Sequence, residues 1–293
     1  MNEKTLVRVS LFLKKVRLIK FGRYIFRIYT NHSTKIIEKK QIIEIRKFGR
    51  YAEVKIGNYK LILDRQALHD FQMLKILESG GIYEPEVSSY ITKNLQIGEN
   101  FIDIGANNGY YSILAADLVG PNGKVISVEP NPKAFQRLLH NIKINNPSNI
   151  IPLNVALSDH EGFATLYSNN DSDDGSASLA KGFQIRPLMQ VELKRFDQLF
   201  KDENINMIKM DVEGAEIVII RGGLEDYIRS HKDIKIIMEW NPSYRTKNDF
   251  NYLSSLFHIN LLLPDKELGF KIKEITEFKE LFMLCNLLLE AKN

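Results

Sequence analysis

A single cysteine, Cys285, in 293 residues leaves no intrachain disulfide and no cysteine-based metal site to be made. It lies in an apolar stretch, so it reads as a buried structural thiol in a chain suited to a reducing, cytoplasmic setting. Within residues 1–30 no apolar run exceeds five residues, so neither a signal-peptide core nor a membrane span is expected there. The six histidines (32, 69, 140, 160, 231 and 258) fall at no metal-ligand spacing. His160 reads as a surface residue. Internal repeats and low-complexity linkers are also missing. Acidic residues are scarce in one place only: residues 1–60 hold sixteen Lys/Arg against four Asp/Glu, a net of +12.

The rest of the chain holds 24 basic and 32 acidic residues, a net of −8. A basic arm on an acidic body suits contact with an anionic surface, while the body itself offers no basic field for nucleic acid. In residues 1–30 Val9, Leu13, Val16 and Lys20 share a helical face, with Phe12 and Ile19 beside them and Lys14 and Arg17 off it. That pattern suits peripheral binding to an anionic membrane at its inner face. It suits equally a helix packed on its own body or on a second copy in a homo-oligomer, because Arg8 and Lys15 blur the two faces. Hydrophobic content of 44% and aromatic content of 10% suffice for a large core. Residues 34–63 read as a β-meander with a Gly57-Asn58 turn, followed by helical stretches at 65–78 and 86–94. The expected division is a basic helix with a small α+β cap region over 1–78 and a catalytic domain over 79–293.

The centre of the chain is the stretch NFIDIGANNGYYSILAADLVGPNGKVISVEP, residues 100–130. It predicts a strand ending at Asp103, a turn with Gly105 and Gly109, a helix, and a second strand ending at Glu129. Such a βαβ unit binds a nucleoside at the carboxyl edge of a parallel sheet. Pro132 at a first helical position then opens a helix with apolar spacing at Phe135, Leu138, Leu139 and Ile142. A third strand is expected over 149–157, ending at Ser158-Asp159, then a hairpin GFATLYS, a polar loop over 168–182, and strands at 189–193 and 206–210. The last of these runs into Asp211-Val-Glu213-Gly214-Ala-Glu216, with a helix to Arg221. A fifth strand, 233–238, leads to Glu239-Trp240-Asn241-Pro242. The tail suggests a helix at 249–256, a strand at 259–263 and a closing strand at 286–290. Alternating strands and helices give a mostly parallel α/β sheet whose C-terminal strand runs antiparallel.

A dinucleotide requires G-x-G-x-x-G so that backbone can approach a pyrophosphate. Here Asn107 stands where the second glycine would, and that fingerprint fails. S-adenosylmethionine has no pyrophosphate but carries an ammonium, a sulfonium and a ribose. Asp103 suits its ammonium side, and Glu129 suits acceptance from two ribose hydroxyls. As alternatives, Asp103 caps the turn and Glu129 is a solvated strand-end charge. Two further readings stand beside this one: a nicotinamide-dependent oxidoreductase, and a non-catalytic membrane-surface scaffold.

The blocks YEPEV (83–87), FIDIGANNGYYS (101–112), VISVEPNP (125–132), NVALSDHEG (154–162), GSAS (175–178) and IKMDVEGAE (208–216) occur in this order. In them the chain resembles the FkbM-type methyltransferases, of the Rossmann-like S-adenosylmethionine-dependent class. The resemblance implies a Rossmann-like methyltransferase sheet and O-methylation, commonly of sugar or polyketide hydroxyls, with a small-molecule, glycan or glycolipid acceptor. It places Asp103, Gly105, Ala106, Asn107, Gly109 and Tyr110 along the methionine half of the cofactor. Glu129, Pro130 and Asn131 follow at the ribose, and Ala156, Leu157, Ser158 and Asp159 at the adenine. Glu84 is a family-typical position without an assigned contact.

Losing a proton from an alcohol acceptor calls for a base or a metal. Asp211, Glu213 and Glu239 are the candidates, with Lys209 just inside the strand. Asp211 also suits a helix cap, Glu213 a helix N-terminus and Lys209 a simple ion pair. Magnesium on Asp211 with Glu239 stays open. Asp171, Asp173 and Asp174 before Gly175 suggest a calcium loop, but Lys181 stands where the bidentate glutamate belongs, so a solvated loop is expected. Trp240 fits either a wall of the acceptor pocket or the core.

Overall fold

A computed structural model describes residues 43–56, 58–168, 177–179 and 186–292. The amphipathic stretch 1–30, the first meander segment 34–40, Gly57, the acidic run Asp171–Gly175 and Lys181 lie outside the described residues.

Three strands come first: β1 (Ile43–Phe48), β2 (Tyr51–Ile56) and β3 (Tyr59–Asp64), in an antiparallel sheet ordered β1-β2-β3. The inward residues Ala52, Val54, Leu61 and Leu63 alternate along β2 and β3 and are buried. Helices α1 (Leu68–Glu78) and α2 (Pro85–Asn94) follow, close to the helical stretches expected at 65–78 and 86–94. The central sheet has eight strands. Its parallel part holds β4 (Asn100–Ile104), β5 (Lys124–Val128), β6 (Ile150–Leu153), β10 (Met207–Met210) and β11 (Lys235–Trp240). Beside β11 lie β14 (Cys285–Ala291), β12 (Phe257–Asp265) and β13 (Gly269–Glu274), each antiparallel to its neighbour. The order is β13-β12-β14-β11-β10-β4-β5-β6. The antiparallel closing strand is as expected. The β12–β13 hairpin, which adds the outermost strand, is not.

Helices α3 (Tyr110–Val119) and α4 (Pro132–Asn145) make the crossovers, with Asn131 capping α4 through its side chain and Pro132 at the first helical position. Period-two alternation sends Ile102, Ile104, Ile208 and Met210 into one core layer. Phe101, Val125, Met207 and Ile237 enter the other layer, which they share with β2, β3, α1, α2 and α3. The described part of the N-terminal region is therefore packed into the same core as the sheet. Asp103 and Lys209, paired across β4 and β10, follow the same alternation onto that second face.

Two sequence expectations are corrected. The stretch 149–157 is not one strand: β6 ends at Leu153, and β7 (Ala156–Ser158) joins a third sheet, ordered β7-β9-β8 with β8 (Gly162–Ser168) and β9 (Arg186–Arg195). Asn154 Nδ2 donates to the carbonyls of Glu129 and Pro130, drawing the chain off the ladder there. GFATLYS forms β8 (Gly162–Ser168), which pairs with β9 (Arg186–Arg195) instead of making a hairpin of its own. The helix after β10 ends before Gly222, as expected: α6 (Glu216–Ile219) continues to Arg221, and Gly222 and Gly223, both non-helical, kink the chain into α7 (Glu225–Ser230). A Cβ on Gly222 would stand 2.2 Å from the Ser158 carbonyl oxygen, so the glycine lets β7 and the kink touch. Helices α5 (Phe196–Phe200) and α8 (Lys247–Leu256) complete the fold, α8 opening on a Thr246–Asp249 capping box. Trp240 is fully buried in the core, its Nε1–H donating to the Leu281 carbonyl, so it walls no pocket. Among the described residues no helix is long and apolar enough to cross a membrane.

Candidate active site

One pocket opens at the carboxyl edge of the parallel strands. Of the residues expected there, Glu84, Gly105, Ala106, Asn107, Tyr110, Glu129, Pro130, Ala156, Leu157, Lys209, Asp211, Glu213 and Glu239 line it. Asp103, Gly109, Asn131, Ser158 and Asp159 do not. Asp103 is 1% exposed behind the wall, where Ser112 Oγ donates to its Oδ2 at 2.6 Å. Burial, only partly offset by the Lys209 charge, raises its pKa. Gly109 stands at the N-terminus of α3 in the left-handed region. Ser158 is packed under the helix kink, and Asp159 faces outward, 2.7 Å from His160 Nδ1.

The turn from 105 to 109 has little left to offer an anion. The amides of Gly105 and Ala106 both donate to the Val128 carbonyl, at 2.9 and 3.0 Å, and that of Gly109 to the Ala106 carbonyl at 2.8 Å. Asn107 N donates to Glu129 Oε2 at 2.9 Å, and Tyr110 N to Asn108 Oδ1 at 3.1 Å. A turn whose amides are satisfied internally cannot cradle a pyrophosphate. Gly105 has φ +83°, and a Cβ there would stand 1.9 Å from the carbonyl oxygen of Asp211. That close approach sets the end of β10 beside the turn.

Glu129 is 7% exposed. Its Oε2 accepts from Asn107 N, and its Oε1 from Asn131 N at 2.8 Å, so both oxygens are fixed in place. Burial pushes its pKa up to about 7 against the pull of those two amides. Each oxygen keeps a further lone pair for a hydroxyl donor.

The other end of the pocket is acidic. Asp211, Glu213 and Glu239 each bring a carboxylate oxygen to within 4.8 Å of the others. Lys209 Nζ lies 3.0 Å from Asp211 Oδ2 and 4.9 Å from the Tyr111 ring centroid. Burial opposes the lysine's charge, but Asp211, Glu84 and Asp103 outweigh it and hold the ammonium protonated. Tyr111 Oη donates to Glu84 Oε2 at 2.6 Å. Burial, with repulsion from Asp211 and Glu213, drives Glu239 well above the usual carboxylate range, and burial also raises Glu84.

The loop carrying Asp211 and Glu213 is braced from behind. Glu213 adopts φ 55°, in the left-handed region that non-glycine residues seldom enter. The buried Glu216 Oε1 accepts from Val212 N and Gly214 N at 3.2 and 3.4 Å, and its Oε2 pairs with Arg245. Arg245 Nη1 also donates to the Gly214 carbonyl at 3.1 Å, and Ser178 Oγ to that of Glu213 at 2.6 Å.

Some lining residues were not anticipated. His69, Gln72 and Met73 come from α1, Tyr83 precedes Glu84, and Leu284 precedes β14. Tyr83 and Tyr111 lie within blocks already singled out. Nothing in the spacing of α1 distinguishes His69 or Gln72 from any polar helix face. Asp70 ties that helix to the turn: its Oδ1 accepts from Asn108 Nδ2 at 2.8 Å.

Residues 103–272 match the family model described as Methyltransferase FkbM domain. The chain is 24% identical over 186 residues to Methyltransferase sdnD of Sordaria araneosa, across 53% of this chain and 71% of that protein. It is 26% identical over 141 residues to Hexuronic acid methyltransferase AglP of Haloferax volcanii, across 47% and 56%. Methyltransferase 1 of Beauveria bassiana is 25% identical over 142 residues, across 41% and 57%. The chain thus spans little more than half the length of the latter two. With the family match covering more than half of the 293 residues and its blocks lying on the pocket edge, the chain belongs to the FkbM methyltransferase domain family, within the S-adenosylmethionine-dependent methyltransferases.

Proposed function

We propose that the protein is an O-methyltransferase that transfers the methyl group of S-adenosylmethionine to a hydroxyl of a sugar, a glycoconjugate or a similar metabolite. The observation that carries this reading is the shared pocket: Glu129, both its oxygens fixed by backbone amides, at one end and three carboxylates beside Lys209 at the other. The similarity to a hexuronic acid methyltransferase supports a sugar acceptor.

When bound, the cofactor supplies an electrophilic methyl on a sulfonium. It would sit between Glu129 and the Asp211, Glu213 and Glu239 end of the pocket, where those residues would bring an acceptor hydroxyl against that methyl. Positioning the two is the larger part of the task. Asp211 takes the hydroxyl proton, with Lys209 fixing its carboxylate at 3.0 Å. Glu239, whose pKa burial and then the Asp211 and Glu213 charges push well above the usual carboxylate range, donates a hydrogen bond to the acceptor and keeps the cluster from accumulating charge. The three carboxylates also form an oxygen donor set of the kind magnesium takes, and an ion held by Asp211, Glu213 and Glu239 would polarise the acceptor hydroxyl. Lys209 already supplies a positive charge at Asp211, which favours the carboxylate-base reading.

The experiment is transfer of labelled methyl to a panel of free and lipid-linked hexoses and hexuronic acids. Asp211→Asn is expected to lower kcat by about 10²–10⁴-fold while leaving S-adenosylhomocysteine affinity within twofold. Unchanged turnover would remove Asp211 as the base, and activity abolished by EDTA and restored by Mg²⁺ would move the reading to the metal. We further propose that the basic arm contacts an anionic membrane surface. Equal sedimentation of full-length protein with anionic and neutral vesicles would remove that role.

A further inference from the structure

The small N-terminal sheet is joined to the pocket by a chain of side-chain bonds. The edge of β3 that does not pair with β2 is taken by two asparagines of α4. Asn145 accepts from Lys60 N at 2.9 Å and donates to the Lys60 carbonyl at 2.7 Å. Asn141 treats Ile62 in the same way, at 2.8 and 3.3 Å, and its Nδ2 also donates to the Asn108 carbonyl at 2.8 Å. The Asn108 side chain is held by α1, where Asp70 Oδ1 accepts from its Nδ2 at 2.8 Å. Asp70 is fully buried. Its Oδ2 accepts from Asp64 N at 2.8 Å and lies 3.7 Å from Arg137 Nε. Arg137 Nη2 donates to Asn107 Oδ1 at 3.2 Å, and Asn107 N donates to Glu129 Oε2 at 2.9 Å.

We infer that Asp70 is a positioning residue for the cofactor's ribose, which keeps the Asn107 N–H on Glu129 Oε2 by clamping Asn108 and orienting Arg137. The inference rests on S-adenosylmethionine being the cofactor and on Glu129 taking its ribose. It gives the cap region a part in that site through a residue that precedes both the matched segment 103–272 and the YEPEV block.

The two oxygens of Glu129 are anchored differently. Oε1 is set by Asn131 N, two residues further along the same strand end. Oε2 is set by Asn107 N from the β4–α3 turn, so its place depends on how firmly that turn is held. Asn107 adopts φ 49°, a left-handed conformation that persists where its surroundings enforce it. On one side the amides of Gly105 and Ala106 are fixed by the Val128 carbonyl. On the other, Asn108 is fixed by Asn141 at its carbonyl and by Asp70 at its side chain, while its Oδ1 accepts from Tyr110 N at 3.1 Å. Without the Asp70 carboxylate, Asn108 Nδ2 keeps only Met73 Sδ at 3.7 Å, a weak acceptor. Arg137 loses the charge that faces its Nε while it reaches for Asn107. Both losses fall on the turn that places Oε2, and neither touches the Asn131 anchor of Oε1. The ligand should therefore lose one aligned hydroxyl acceptor and keep the rest of its site.

Calorimetry on the full chain, with S-adenosylhomocysteine and its 2′-deoxy and 3′-deoxy analogues, tests this. Wild-type protein should prefer the parent over each analogue by about tenfold or more, the worth of one hydrogen bond to a charged group. Asp70→Asn should shrink the preference over at least one analogue to within about threefold. Arg137→Met leaves the Asp64 and Asn108 bonds of Asp70 in place and removes the donor to Asn107. It should shrink the same preference, and it carries the test where Asp70→Asn fails to fold. Asn145→Ala loosens β3 from α4 at a residue that bonds neither Asn107 nor Asn108. It should lower the melting temperature and keep both preferences. A folded Asp70→Asn or Arg137→Met that weakens all three ligands equally, or none, would overturn the inference, and so would preferences lost in Asn145→Ala. Wild-type protein that binds the three equally would remove Glu129 from the ribose and this inference with it, leaving the cofactor in place. Binding of none would remove the cofactor reading as well.

Discussion

Glu129→Gln removes one oxygen from the residue assigned to the ribose. The two carboxylate oxygens hold the Asn107 and Asn131 amides at 2.9 and 2.8 Å while facing the pocket. On the ribose assignment, two hydroxyls would donate to an ionised acceptor in the wild type, and hydrogen bonds to charged groups contribute about 1.5–3 kcal/mol each. The amide keeps one acceptor oxygen, but its NH₂ must face either a backbone N–H or a hydroxyl, so a net loss of about 2–4 kcal/mol is expected. That corresponds to roughly a 30- to 1000-fold weaker S-adenosylhomocysteine complex, read by calorimetry. Burial supplies a second test. The pKa of Glu129 is pushed up to about 7, and only its ionised form accepts from both hydroxyls. Affinity should therefore fall with falling pH, about tenfold weaker at pH 6 than at pH 8, and that slope should vanish in the glutamine variant. In the cofactor-free protein the sign is the opposite. A carboxyl group raised on folding contributes most stability below its ordinary pKa and loses it as pH rises toward about 7. Affinity that is flat from pH 6 to 8, or a glutamine variant within twofold of wild type, would refute the ribose assignment.

Gly105→Ala should lower thermal stability by about 2–5 kcal/mol and abolish cofactor binding, because its Cβ would stand 1.9 Å from the Asp211 carbonyl oxygen at φ +83°. An unchanged melting temperature would contradict this. Arg245→Met should destabilise by about 3–5 kcal/mol, since it strands the buried Glu216 carboxylate. Denaturant titration should find most of that recovered in Arg245→Met/Glu216→Gln, while kcat stays low because Val212 and Gly214 have lost their anionic brace. A double variant with wild-type kcat would show that the pair serves stability alone.

Much of the site was readable because it lies at strand ends in one continuous unit. Gly105 and Glu129 follow from a strand–turn–helix–strand pattern whose geometry is local, and Lys209 to Glu213 lie at the end of β10 in the same way. Strand three was misread because its nine residues look uniformly strand-like. Asn154, bonding to carbonyls of the neighbouring β5–α4 connection, decides where the strand breaks. Asp159 follows a strand end and so looked equivalent to Glu129, yet β7 belongs to a different sheet and points it outward.

The amino-acid sequence by itself determined the α/β architecture, the exclusion of a pyrophosphate at Asn107 and the acids at the ends of β5, β10 and β11. These rest on periodicity and on residues a few positions apart, where backbone geometry alone fixes the relation. Only the tertiary structure decided that Asp103 is sealed behind the wall, that Glu216 and Arg245 brace the acidic loop, and that α1 brings His69 to the pocket. Those relations join residues dozens of positions apart. They are set by how two core layers pack on one sheet, and no local pattern encodes that packing.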